Sequence, residues 1–197
     1  MLNGFRGVVS GGIDAKEATY SIWTNTPSSA TDYRKYVGLQ YNDDDSRNAF
    51  LTTDGSSPRN ARFTVPGIVT MDDPNDSLTG WHMLSIVIKD GMASLYVDGV
   101  QDGTSAWLFQ GLDKITSLSI GRGTGDASTD GGPDATFDEA TFSTIPRTAD
   151  WLSASFQNQK PSSTYLNFGS LVGPISLNDP AYTEIFGKKD TSITPFS

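Results

Sequence analysis

The strongest constraint on this fold is the stretch 81–101, which carries two Asp-Gly pairs, Asp90-Gly91 and Asp98-Gly99, between segments of apolar and β-branched residues. A two-residue type I′ turn needs positive φ at both central positions, and Asp followed by Gly is among the few pairs that accept it. Residues 81–89 and 92–97 therefore read as a hairpin, and the second pair returns the chain at once through 100–101. Three consecutive strands meander, with no segment between them long enough for the crossover helix of a parallel sheet.

The rest of the chain agrees. Residues 18–23, 36–41, 48–53, 115–120 and 135–142 are rich in aromatic and β-branched residues and read as strands; 42–47 is a polar turn and 121–133 a Gly, Asp, Ser and Thr loop. The convincing helix is 148–157, with Thr148 as N-cap, Asp150 in the first turn, and Trp151, Leu152 and Phe156 near one face. A last strand is expected at 164–168, before a tail containing Pro174, Pro180 and Pro195. Many short strands without crossover helices predict an all-β fold, a two-sheet antiparallel β-sandwich of jelly-roll type with one short C-terminal helix.

Composition narrows the function. The 197 residues fit one domain with a tail, and 20 Gly and 10 Pro against 19% charged residues describe a turn-rich globular chain rather than a helical bundle or an acidic tail. A net charge of -9 disfavours nucleic acid and anionic lipid surfaces as partners. With no cysteine and one histidine, disulfides, thiol catalysis and thiolate metal sites are excluded, and metal ligation falls to oxygen donors. No apolar run approaches the ~18 residues of a membrane span. Residues 1–6 lack the basic start and long apolar stretch of a signal peptide.

The segment 80–99, in which Trp81-His82 opens one strand and Leu95-Tyr96-Val97-Asp98-Gly99 closes the next, resembles the laminin-G-like, concanavalin A-like lectin superfamily. Leu118-Ser119-Ile120-Gly121 looks like that family's strand before the metal-side loop. Phe137-Asp138-Glu139-Ala140 is similar to its Phe-x-Asp-Glu closing strand, and 147–159 resembles the closing helix of bacterial laminin-G-like modules. The resemblance implies a concanavalin A-like sandwich over 18–169, preceded by a lead-in or first strand at 1–17. Residues 170–197 would be a tail, a linker or the start of a neighbouring domain. It also implies an origin in a larger extracellular or cell-surface protein.

Function has to come from sites, because lectins, protein-binding modules and glycan hydrolases share this fold. The superfamily's hydrolases carry Glu-x-Asp-x-x-Glu or Glu-x-Asp-x-Glu on one strand, a run absent here. The nearest pair, Asp138-Glu139, should point to opposite faces of a strand and so fail to flank one bond. His82, beside Trp81 and with no Gly-x-Ser-x-Gly elbow in the chain, reads as structural.

Asp126, Asp130 and Asp134 in the Gly-rich loop, with Asp138 on the strand after it, supply the hard oxygen donors calcium takes, or else simply make soluble turns. Resemblance to the pentraxin branch adds the acidic turn Asp43-Asp44-Asp45, giving an expected structural calcium set of Asp44, Asp126, Asp130 and Asp138, although the adjacent Glu-Gln-Asp of the pentraxin loop is missing. Sugar binding needs flat aromatic faces edged by polar groups. Trp107, Tyr33, Arg34, Tyr36 and Arg122 are the candidates, Trp107 being either a platform or a plug at one end of the sandwich. Trp23, Trp81, Trp151, Tyr20, Phe137 and Phe142 read as core.

The expected function is a noncatalytic carbohydrate-binding module, calcium-stabilised, taking a glycan or polysaccharide. The alternative is a protein-binding adhesion domain, and third comes a polysaccharide hydrolase or lyase. The acidic balance slightly favours neutral glycans over sulfated or uronate-rich ones.

Overall fold

The structure, a computed structural model, describes residues 5–14, 16–27, 35–41, 48–53, 60–65, 69–72, 78–106, 114–121 and 135–160. The chain divides into two compact units, Met1–Ser163 and Thr164–Ser197, and every described residue lies in the first. The expectations for 164–168 and 170–197 lie outside the described residues.

The elements are β1 (Phe5–Asp14), β2 (Ala18–Thr26), β3 (Lys35–Tyr41), β4 (Asn48–Thr53), β5 (Ala61–Val65) and β6 (Val69–Asp72), then β7 (Gly80–Lys89), β8 (Met92–Val97), β9 (Val100–Ala106), β10 (Lys114–Ile120), β11 (Thr136–Ser143) and α1 (Ala149–Gln159). They form a six-stranded sheet in the order β1-β10-β3-β4-β5-β6 and a five-stranded sheet in the order β11-β2-β7-β8-β9. All pairings between these strands are antiparallel. The all-β sandwich expected from the sequence is the observed fold.

Both Asp-Gly turns have the conformation their chemistry demands. Asp90 and Gly91 sit at φ 50° and 72°, and Asp98 and Gly99 at 52° and 80°. The second turn is braced from the side: Met83 N donates to Asp98 Oδ1 at 2.9 Å and Asp98 N donates to Met83 O at 2.8 Å. His82 lies at 3.0 Å from Asp98 Oδ2 through Nδ1, and at 3.3 Å from the Thr79 carbonyl through Nε2. His82 thus holds the turn between β8 and β9, in keeping with the structural role expected for it.

Period-two alternation sorts the five-stranded sheet into two faces. Ala18, Tyr20 and Ile22 of β2, Leu84, Ile86 and Ile88 of β7, and Ala93, Leu95 and Val97 of β8 point inward, meeting Tyr36, Leu39, Leu51, Phe63 and Ile115 of the other sheet in one core. The other parity faces outward and receives α1. Val87 and Tyr96 form a second buried cluster with Leu152 of the helix, and Trp23 stacks on Phe156 with ring centroids 5.6 Å apart. Thr148 caps the helix as expected, its hydroxyl accepting from Trp151 N at 3.2 Å. Ahead of it, Thr19 ties the approach to the sheet, donating to Ile145 O and accepting from Arg147 N.

Two tryptophans depart from the core assignment. Trp151 is 42% exposed because Leu152 and Phe156, one turn apart, form the sheet-facing side of α1; its ring instead carries the Arg147 guanidinium at 4.7 Å. Trp81 is 39% exposed and has the outward parity of Met83, Ser85 and Val87, near the start of β7.

Candidate glycan-binding cleft

At one end of the outward face, β2, β7, β11 and the last residue of α1 enclose a cleft of about 300 Å³ lined by Trp23, Trp81, Asp138, Glu139 and Gln159. Each wall has a local cause. Trp81 stands opposite Asn25 across the β7–β2 ladder, and Asp138 stands opposite Trp23 across β11–β2. Gln159 arrives because Leu152 and Phe156 seat the helix on the sheet, which brings its C-terminal residue to the indole N–H of Trp23.

Asp138 and Glu139 reach the same cleft because β11 is bulged. Its register passes from Asp138↔Trp23 to Thr141↔Ser21, so β11 uses one residue more than β2. Glu139 adopts φ 48° there, the left-handed region unusual for a residue with a side chain. The expectation that these two carboxylates point to opposite faces holds for a regular strand; the bulge overturns it, and both line one cleft.

A chain of hydrogen bonds locks the polar wall. Trp23 Nε1 donates to Gln159 Oε1 at 2.6 Å, Gln159 Nε2 donates to Glu139 Oε2 at 3.0 Å, and Glu139 N donates to Asp138 Oδ1 at 2.9 Å. An indole only donates and a carboxylate only accepts, so the amide of Gln159 has a single satisfactory orientation. Asp138 Oδ2 and Glu139 Oε1 are left with no partner among the described residues, two acceptors beside the open indole of Trp81. An aromatic wall with adjacent acceptors can stack the apolar face of a ring and take hydrogen bonds from its hydroxyls.

Residues 8–153 match the family model described as the Concanavalin A-like lectin/glucanases superfamily, a laminin G model. The chain belongs to this superfamily. Solved concanavalin A-like structures of similar fold include the heptameric SAP-like pentraxin of Limulus polyphemus, at 13% identity and a TM-score of 0.57 over 79% of this chain and 73% of that one. Another is the binding domain of Paraclostridial Mosquitocidal Protein 1, at 12% identity and a TM-score of 0.57, covering 79% of this chain and 40% of that one. A third is domain 4 of AbnA, an extracellular arabinanase of Geobacillus stearothermophilus, in complex with arabinotriose, at 16% identity and a TM-score of 0.50, covering 76% and 70%. At these identities the likeness is one of fold. No curated protein matches the chain.

Within this concanavalin A-like sandwich, Asp138 is the one expected site residue among the described residues that lies in the cleft. Tyr36 is a correction: it is fully buried, its hydroxyl 2.8 Å from Thr26 Oγ1 and its ring edge-on to Phe137, so it presents no face to a ligand. Trp107, Tyr33, Arg34 and Arg122, and the expected calcium ligands Asp44, Asp126 and Asp130, lie outside the described residues. The described residues contain no group of three or more metal-ligating side chains, and at Asp138 they offer only Glu139 as a neighbouring carboxylate. Nor is any described helix long and apolar enough to cross a membrane.

Trp81, Glu139 and Gln159 were not among the residues expected to form a site. A signal existed for the first: Leu84, Ile86 and Ile88 fix the inward parity of β7 and so place Trp81 outward. Gln159 carried no signal, because its position depends on how α1 docks.

Proposed function

We propose that this concanavalin A-like domain is a noncatalytic carbohydrate-binding module of an extracellular protein, and that the glycan sits in the Trp81 cleft. The observation that carries the reading is the exposed Trp81 indole beside a carboxylate pair held in place by the Trp23–Gln159–Glu139 hydrogen bonds. Preorganised acceptors next to an aromatic face are what a ring with one apolar face and many hydroxyls requires. The arabinotriose held by the AbnA domain supports the same class of ligand.

The carboxylates favour binding over hydrolysis. A glycosidase places its acid and its base or nucleophile across the scissile bond, about 5 to 9.5 Å apart. Here the pair is adjacent in sequence on one bulge, with Glu139 tied to Gln159 and Asp138 to the following backbone N–H. A structural calcium at Asp44, Asp126 and Asp130 belongs to this reading, with Asp138 assigned to the cleft instead of the ion, and a melting temperature unmoved by EDTA would remove it.

The test is a glycan array followed by calorimetry on the full chain and on Trp81→Ala. Saturable binding lost in the variant, with the melting temperature preserved because the ring is exposed, is the expected result. Undiminished binding by Trp81→Ala would move the site elsewhere, and silence across the array would leave the protein-adhesion reading.

A further inference from the structure

The charge of the cleft goes further than its shape. Its charged side chains are Asp138 and Glu139, and no Lys, Arg or His lines it among the described residues. The two cations nearest the ends of α1 are engaged elsewhere: Arg147 lies over the ring of Trp151 at 4.7 Å and Lys160 over the ring of Phe156 at 5.5 Å. Neither carboxylate has a basic partner among the described residues, and the chain as a whole carries -9. Among the described residues the cleft therefore carries two carboxylates, each keeping an unused oxygen, together with the partly exposed indole of Trp81.

A neutral sugar could use the indole and those acceptors, but it would draw nothing from their charge. A uronate or sulfated sugar would be repelled. A sugar carrying a protonated amine would use every element at once. Its ammonium would form charge-assisted hydrogen bonds to Asp138 Oδ2 and Glu139 Oε1, and the adjoining ring would lie on Trp81, where a cation is also attracted to the indole face.

We infer that the cleft selects a glycan bearing free amines, a hexosamine oligomer that is not N-acetylated, through the juxtaposition of Asp138, Glu139 and the exposed indole of Trp81. The inference rests on the glycan reading above and names its ligand class.

The test is calorimetric titration of the full chain with short β-linked glucosamine, N-acetylglucosamine and glucose oligomers of equal length, at mildly acidic pH where the amines are charged and ordinary carboxylates remain ionised. Short oligomers limit the general attraction of an acidic protein to a polycation. The glucosamine oligomer should bind about tenfold or more tightly than the other two, the scale of one charge-assisted hydrogen bond. Its advantage should shrink with added salt.

Asp138→Asn and Glu139→Gln each keep an oxygen acceptor for the existing hydrogen bond while removing one charge; each should weaken the preference, and the double variant should erase it. Glu17→Gln makes the same change in net charge at an exposed position before β2 and should leave it intact. Equal affinity for the three oligomers would overturn the amine preference and leave the glycan reading standing. An equal loss in Glu17→Gln would overturn it as well, by assigning the effect to overall charge. Failure of all three to bind the unmodified chain would overturn the amine preference, and the glycan array would then decide the glycan reading by itself.

Discussion

Gly99 lies directly against the backbone of Ser153 in α1: a Cβ at Gly99 would come within 2.7 Å of Ser153 Cα and 3.0 Å of its N. The turn that closes the β8–β9 hairpin is thus also the seat of the helix, and Gly99 meets two demands at once, since its φ is +80°. Gly91 occupies the same place in the preceding turn at φ +72°, but a Cβ there meets nothing within 4 Å. Gly91→Ala should therefore cost about 1 to 2 kcal/mol for the left-handed conformation alone. Gly99→Ala should cost about 2 to 5 kcal/mol, because the helix must also shift. Urea denaturation of the two variants tests this, and equal losses would show that the helix does not press on the turn.

Leu152 is the apolar anchor of that helix, fully buried with Val87 and Tyr96. Leu152→Ala should destabilise by about 2 to 5 kcal/mol. The same change should weaken ligand binding at a distance, since Gln159 is brought to Trp23 and Glu139 by the seating of α1. Binding measured well below the melting temperature separates the two effects; full affinity in a destabilised Leu152→Ala would mean that the Phe156–Trp23 stack alone positions Gln159.

Much of this architecture could be read in the sequence because its signals are local. The Asp-Gly pairs dictate their own φ values, and Thr148 caps the helix that follows it. β5 gives only a weak signal although Ala61, Phe63 and Val65 alternate inward, since it has five residues and one of them is charged. β1 reads equally as a lead-in or a strand because glycines interrupt it, two of them with positive φ at the point where its register against β10 shifts. The site was harder because it depends on parity and docking rather than on motif. Phe137 and Phe142 both face the core, yet they are separated by an odd number of positions, so an extra residue had to lie between them. That arithmetic implies a bulge somewhere in 138–141; its place at Glu139, and the shared cleft of Asp138 and Glu139, come from the structure. No pattern in the sequence announces Gln159 as their partner.

Alkaline pH should unfold the protein early. Burial pushes the Tyr20 hydroxyl well above the usual tyrosine value, with Tyr41 beside it adding to the effect, and burial raises Tyr41 and Tyr96 as well. These groups stay protonated in the folded state while the unfolded chain ionises near pH 10. Their contribution is therefore fully present below about pH 10 and is lost progressively as pH rises toward the folded-state values. Denaturation midpoints should fall above that pH, with tyrosinate absorbance rising in step with unfolding. Tyr20→Phe should shallow the slope, and a slope unchanged in that variant would assign the alkaline loss to other groups.

Glu139 sets local stability against binding. Its φ of 48° costs a residue with a Cβ about 1 to 2 kcal/mol, which glycine avoids while giving back part of the gain as chain entropy. The side chain's hydrogen bond to Gln159 is exposed and offsets little of that strain. Glu139→Gly should therefore range from unchanged to about 1 kcal/mol more stable, while losing affinity for any ligand taken in the cleft. Denaturation and titration of the one variant check both halves. A clear loss of stability would mean that the Gln159 contact outweighs the backbone strain, and the bulge would then exist to hold the helix end rather than to present a carboxylate.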